Sequence, residues 1–284
     1  MSPSGPVAGG GLDPAVLAEA VDWLAEHAHE NLGTEIVLRG GPSGPAWRVV
    51  TSHQGGELAG VSVSSPGGQW FLEATGPDAV GELVAAVDGG GPSWPAKLTV
   101  SGAVKAWVRP LLLELGAVIV REHDLLAMAC HQPPEGGEGR WATAAVDRPA
   151  LERYQAAYNQ ERGTTTAPDW DTLLRRPAVA VLEADGSVVA VVKRTADTAR
   201  YATIGGTWTD PAHRQRGLAA RLTAFIVASL LAERPAVHLV VDDDNAPAIA
   251  LYRSLGFEDI GGCYMAYLSA AAAGTAGTAP KDGP

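Results

Sequence analysis

TDPAHRQRGLA, residues 209–219, closes one apolar strand pattern and opens an amphipathic helix. The strand pattern occupies residues 199–209. The helix occupies residues 217–232, where Leu222, Phe225, Ile226, Ser229 and Leu230 mark one buried face. Such a junction leaves backbone N–H groups unpaired at the positive end of a helix dipole. A pyrophosphate fits that geometry. Gly217 lets the backbone come close to a phosphate, and the small Ala219 keeps the first turn uncluttered. Arg214 and Arg216 add positive charge at the rim. His213, in the same loop, reads as an exposed structural residue.

Further along the chain, residues 245–257 read NAPAIALYRSLGF. Asp244 or Asn245 caps a helix here, Pro247 stands in its first turn and Gly256 ends it. Ala248, Leu251 and Tyr252 share a face. Capping alone accounts for these residues as a surface helix with a half-buried tyrosine. It does not account for their order and spacing behind the upstream loop. That loop resembles the coenzyme A loop of the GNAT superfamily, Arg/Gln-x-x-Gly-x-Gly/Ala preceded by hydrophobic-x-Pro. Pro211, Arg214, Gly217 and Ala219 match it, while Thr209 departs at the hydrophobic position. The second stretch is similar to the family's Asn-x-x-Ala-x-x-Leu-Tyr-x-x-x-Gly-Phe at every fixed position. The resemblance spans residues 141–268.

The resemblance implies an α+β GNAT fold, a mixed and mostly antiparallel sheet flanked by helices. It also implies an N-acetyltransferase that uses acetyl-CoA as acyl donor. Strand backbone at Thr207, Trp208 and Thr209 is then expected to pair with the pantetheine arm. Arg214, Gln215, Arg216, Gly217, Leu218, Ala219 and Ala220 surround the pyrophosphate, and Asn245 bonds the pantetheine or its surroundings. Tyr252 sits near the sulfur and protonates the departing thiolate, a role that suits a phenol of ordinary pKa about 10. The acceptor implied is a primary amine, on a small molecule or a peptide N-terminus, attacking the thioester directly. The family fixes no base. Glu161, at a helix end, is the first candidate and Asp242 and Asp243 come next. Each is equally read as a solvated or capping carboxylate. Trp170 and Tyr158 stand as pocket-lining or core aromatics. Cys263, beside the last strand, reads as a buried thiol rather than a nucleophile. No cluster has metal-ligand spacing, so no metal is expected. Two other classes remain open at this point: a noncatalytic acyl-CoA sensor, and an aminoacyl-tRNA-dependent transferase. Tyr252 speaks against the first, and charge against the second.

That charge is −11 over 284 residues, which disfavours nonspecific nucleic-acid and anionic-membrane binding. Hydrophobic residues make up 46%, enough for a sizeable core. Two cysteines, no leader pattern and no apolar run of spanning length lead to an expected cytoplasmic location. Residues 1–11 and the tail from Ala270 read as disordered, and HQPPEGGEGR, residues 131–140, as a linker. The expected domains are therefore 12–138 and 139–269.

The first half is expected to hold a helix at 14–29 and strands at 35–39, 47–51, 58–63 and 69–74. A helix at 78–87, a strand at 97–100, a helix at 103–115 containing Pro110 and a strand at 125–129 follow. The second half is expected to hold a strand at 141–146, a helix at 149–161 and a polar loop at 162–171. Strands at 178–183, 188–195 and 199–209 precede the loop quoted first, and strands at 237–241 and 264–268 flank the second helix motif. KLTV, a helix and LELGA in the first half echo HLVV, a helix and RSLGF in the second. The first half lacks the Arg-x-x-Gly-x-Gly/Ala segment, and Trp107 and Val108 stand near the place of Leu251 and Tyr252. It is expected to be a degenerate GNAT-like domain that binds no acetyl-CoA. It either supports the catalytic half or walls off the acceptor pocket.

Overall fold

The computed structural model describes residues 14–27, 32–39, 48–65, 68–88 and 94–269. The expected disorder at 1–11 and beyond Ala270 lies outside these residues, as do His29 and Trp47. The chain divides into two units, residues 1–124 with 262–284, and residues 125–261.

The first unit runs α1 (Pro14–His27), α2 (Leu32–Arg39), β1 (Arg48–Gln54), β2 (Glu57–Ser64), β3 (Gln69–Ala74), α3 (Pro77–Asp88), β4 (Lys97–Ser101) and α4 (Gly102–Glu114). The chain then enters β5 (Val118–Cys130) and passes into the second unit within it. There follow β6 (Arg140–Trp141), α5 (Ala144–Arg162), α6 (Trp170–Leu173), β7 (Val179–Ala184), β8 (Ser187–Asp197), β9 (Ala202–Thr209), α7 (Leu218–Leu231), β10 (Val237–Asp242) and α8 (Ala246–Ser254). Strand β11 (Glu258–Ser269) carries the chain back into the first unit. Each unit is α+β with a mixed sheet. β1, β2 and β3 are antiparallel and β3 is parallel to β4. β7, β8 and β9 are antiparallel and β9 is parallel to β10. The order helix, helix, three strands, helix, strand, helix, strand thus occurs twice.

The closing strands are traded. β4 pairs antiparallel with β11, from Cys263↔Ser101 to Tyr267↔Lys97. β10 pairs antiparallel with residues 125–130 of β5. The strand expected to finish the second half therefore finishes the first unit's sheet. Residues 131–140 lie within the second unit, packed on α7. Glu138 N donates to Arg221 O at 3.0 Å, and a β-carbon on Gly137 would sit 2.7 Å from Phe225 N.

Two element assignments need correction. Residues 35–39 are helical, not a strand. Ile36 and Val37 carry a strand-like β-branched signal, but Thr34, Glu35 and Leu38 are buried at helical spacing. Glu35 pairs with Arg39 one turn on at 2.6 Å. The strand at 141–146 shrinks to Arg140–Trp141, and α5 begins at Ala144 rather than Pro149. Buried Asp147 organises this start. It accepts from Thr143 N at 2.7 Å and from both terminal nitrogens of Arg140 at 2.7 and 2.8 Å. Arg140 holds its carboxyl below the usual carboxylate range. Pro149, which mimics a first-turn proline in the sequence, stands in the second turn.

The second unit's main core joins α7 and α8 to one face of its sheet. Leu218, Leu222, Ile226, Val227 and Leu230 of α7 are buried there. Each large apolar side chain contributes on the order of 1.5–3 kcal/mol. On the opposite face Leu151 and Tyr154 of α5 pack with Trp170, Val191 and Trp208. α7 and α5 thus clamp β9 from both sides and fix its position.

Candidate functional site

β9 is paired along one edge and open along the other. It runs against β8 from Ala202 to Thr209. Its pairing with β10 stops after Val237↔Ala202 and His238↔Thr203. Beyond Thr203 the two parallel strands part, so residues 204–209 have no strand partner on that side among the described residues. The β8–β9 register shifts between Val191 and Lys193, opposite Gly206, whose φ is +61°. A bulge of this kind bends and twists its strand. Two polar atoms of the open segment, Trp208 Nε1 and Thr209 Oγ1, are buried with no hydrogen-bond partner among the described residues.

The loop after β9 begins with Asp210, whose Oδ1 accepts from Ala212 N at 2.9 Å. Half-buried His213, read from sequence as exposed, turns its Nδ1 toward the same oxygen at 3.4 Å. Gln215 (φ +61°) and Gly217 (φ +73°) then take left-handed backbone. Among the described residues the backbone N–H groups of residues 215–220 have no protein acceptor. Six consecutive free amides at the N-terminus of a 14-residue helix make a concave donor surface. Arg214 lies across it, donating from Nε to Thr209 O at 3.0 Å and from Nη2 to Glu161 Oε1 at 2.6 Å. The structure therefore places Glu161 on the loop arginine, as an ion-paired carboxylate. Arg216 is exposed; Leu218 anchors the helix in the core, and Ala219 and Ala220 are half-buried beside it.

α8 delivers the tyrosine. Asn245 is its N-cap, with Oδ1 accepting from Ala248 N at 3.2 Å, which leaves the side-chain NH2 as its outward donor. Tyr252 is buried, its ring against Phe257 and its hydroxyl donating to Thr207 Oγ1 at 3.3 Å. Burial holds its pKa above that of an ordinary phenol. The Thr207 hydrogen bond offsets part of this, the nearby Tyr158 hydroxyl adds to it and the Arg162 guanidinium opposes it. Arg162 is itself paired with Asp242 at 2.7 Å. Asp243 and Asp244 are exposed at the turn. Of the candidate bases, Glu161 and Asp242 are thus each committed to an arginine. Trp170 is core, packed against Tyr154, and Cys263 is a buried cysteine outside any disulfide, in the first unit.

One residue of the site escaped the sequence reading. Lys193, in the valine-rich β8, turns toward α5 beside the open strand. Its Nζ lies 3.3 Å from Gln155 Oε1, 5.4 Å from the Tyr154 ring centre and 5.7 Å from that of Tyr158. A β-carbon at position 206 would stand 2.4 Å from Lys193 Cε and 2.8 Å from Tyr154 Oη, so glycine there permits the approach. Burial pulls the ammonium pKa down to about 8. Between that value and 10.5 the unfolded chain binds more protons than the folded one, so stability rises with pH across this window. Lys193→Met is accordingly expected to stabilise the protein by about 3 kcal/mol below pH 8. The gain should fade to nothing above pH 10.5. Urea unfolding at pH 7 and pH 10.5 measures both; an equal gain at the two pH values would contradict the burial argument.

The first unit has the same scaffold with its opening filled. β3 and β4 pair over four positions, Gln69↔Lys97 to Leu72↔Val100. Where they would part, the buried Glu73 carboxylate accepts from Ser101 N at 2.9 Å. α3 starts with Pro77 and Asp78, an acid where a phosphate would otherwise sit. Gly116 and Gly256 end their helices with the same φ of +83°. Counting four residues back from each sets the buried Leu112 opposite Tyr252. This corrects the expected equivalence to Trp107 and Val108.

Residues 144–257 match the model of the Acetyltransferase (GNAT) family. An uncharacterized protein of Mycobacterium leprae (strain TN) is 32% identical over 125 residues. That match covers 44% of this chain and 29% of the relative, so the chain spans under a third of its length. Among solved structures the fold is similar to that of a GCN5-related N-acetyltransferase from Sphaerobacter thermophilus (TM-score 0.59, 22% identity, 89% of this chain and 90% of that one). It is also similar to a tandem GNAT protein from the clavulanic acid biosynthesis pathway (TM-score 0.54, 17% identity, 95% and 99%). A Drosophila protein gives a TM-score of 0.63 at 13% identity over 90% and 97%. At these identities the likeness is one of fold. Among the described residues no helix is long and apolar enough to cross a membrane, and no three His, Cys, Asp or Glu side chains group as for a metal.

Proposed function

We propose, from the premise that residues 144–257 form a GNAT-family acetyltransferase domain, that this chain transfers the acetyl group of acetyl-CoA to a primary amine in the cytoplasm. The acceptor is a small molecule or a peptide N-terminus. The observation that carries the reading is the Tyr252 hydroxyl seated on Thr207, within the open edge of β9 that runs toward six amides without an acceptor among the described residues.

The chain's own groups suit such a donor. The amides of residues 215–220, with Arg214 and Arg216, would hold its pyrophosphate, and left-handed Gly217 leaves room for it. The open backbone of Thr207, Trp208 and Thr209 and the free Asn245 amide would hold the pantetheine arm, with Thr209 Oγ1 gaining the partner it lacks. The bound thioester supplies an activated acetyl group. Tyr252 keeps its proton, because burial raises its pKa, and releases it to the departing sulfur. Glu161 and Asp242 are held by Arg214 and Arg162, so the amine's proton passes to water. In the first unit Glu73, Asp78 and Leu112 stand where an opening, an anion site and an acid would be needed, and we assign it no acetyl-CoA.

The test is release of free coenzyme A thiol from acetyl-CoA across a broad amine panel, with the acetylated product identified by mass. Release that depends on an amine supports the proposal. Tight acetyl-CoA binding with no amine-dependent release from any panel member would sink it.

A further inference from the structure

Lys193 is not accounted for by acetyl transfer itself. It is a half-buried cation with no carboxylate beside it among the described residues. Its one hydrogen-bond acceptor among the described residues is Gln155 Oε1, at the long distance of 3.3 Å. Gln155 is fixed in that orientation, because its Nε2 donates to Asn159 Oδ1 and to Thr166 Oγ1, each at 2.9 Å. The faces of Tyr154 and Tyr158 soften the charge without neutralising it. A methionine would fill the same space without the desolvation penalty that a half-buried ammonium carries. A second donor stands on the same face of the sheet. The Trp208 indole packs against Tyr154 at 5.7 Å between centroids, and its Nε1 is buried with no partner among the described residues. An ammonium with donors to spare and an indole N–H with no acceptor among the described residues thus flank Tyr154 beside the open strand.

We propose that Lys193 and the Trp208 indole N–H form a carboxylate-binding subsite, so that the acceptor is an amino acid or a close relative carrying a carboxylate next to its reacting amine. This rests on the acetyl-transfer reading and deepens it. Charge gives a second reason. A simple amine arrives as a cation and is repelled by the Lys193 ammonium. An amine that brings its own carboxylate neutralises Lys193 first, and its nitrogen is then brought toward the Tyr252 end of the opening. A carboxylate also supplies two acceptor oxygens for two waiting donors.

The experiment compares matched acceptors: L-phenylalanine, its amide and phenethylamine, with the same sets built from alanine, leucine and glutamate. The free acids are expected to exceed their amides in kcat/KM by about 30-fold or more, carried by KM. Lys193→Met should bring that ratio close to one, and Trp208→Phe should lower it severalfold while keeping a ring in place. Amides or descarboxy amines that react as well as the acids would overturn the subsite and leave acetyl transfer standing. Should no amine react, calorimetric titration of the coenzyme A complex with the N-acetyl amino acids decides separately. Binding lost in Lys193→Met upholds the subsite while acetyl transfer fails; binding equal in both proteins overturns it. A mass gain of one acetyl group on Lys193 itself, after incubation with acetyl-CoA, would also overturn it.

Discussion

Tyr252→Phe is expected to lower the rate of acetyl transfer by about 10²–10⁴-fold, with acetyl-CoA affinity changed little. The variant keeps the ring, its packing on Phe257 and its place in the core, and removes one oxygen. What disappears is the proton that the departing thiolate would take. The raised pKa of Tyr252 shapes the pH profile. Burial holds that pKa above the ordinary phenol range, so any alkaline fall of the wild-type rate from this group should come at a higher pH than for an exposed tyrosine. A small structural cost accompanies the change, because Thr207 Oγ1 loses its partner, worth roughly 1 kcal/mol. Single-turnover rates and coenzyme titrations on the same preparation separate the two effects. Equal turnover by the two proteins at every pH would remove Tyr252 from the chemistry.

Gly217→Val is expected to abolish measurable acetyl-CoA binding, a loss of at least about 100-fold, corresponding to roughly 2.7 kcal/mol. Position 217 has φ +73°, where a β-branched residue costs about 1–3 kcal/mol. No protein atom lies within 4 Å of the β-carbon position, so the protein itself has room for the new side chain. The space it fills is the space in front of the free amides. Gly217→Ala, smaller and unbranched, should fall between the two. Calorimetry with wild-type protein should find one site per chain. Two sites would show that Glu73 and Asp78 do not keep the first unit from binding the coenzyme.

Why some of this was legible in the sequence follows from the kind of signal involved. The loop at 209–219 and the helix at 245–257 are local devices: turns, caps and a helix start are written in adjacent residues. Their boundaries in the structure fall within one residue of those read. The helix at 32–39 was hidden because β-branched propensity is weak beside tertiary burial. Asp147 and Arg140 form their pair across a chain turn, so no periodicity announces it. Glu161 read as a free carboxylate because Arg214 is 53 residues away. Lys193 was missed because a single lysine in a run of valines reads as a strand's solvent-facing residue. Only the bulge at Gly206 and the rings of α5 turn it inward.

The exchange of β5 and β11 separates two boundaries that usually coincide. The repeat in the sequence changes over after Cys130, where one run of strands and helices ends and the next begins. The packing changes over between Asp124 and Leu125 and again between Gly261 and Gly262. No single scission of the polypeptide separates the two units cleanly from each other. A fragment ending at Cys130 takes with it the strand that β10 needs, and the complementary fragment carries off the strand that β4 needs. Each half is thus held hostage by the other. Removing the chain through Cys130 would strip the strand from beside β10, whereas a cut between Asp124 and Leu125 would spare that pairing and leave residues 262–269 of β11 without the strand they pair with.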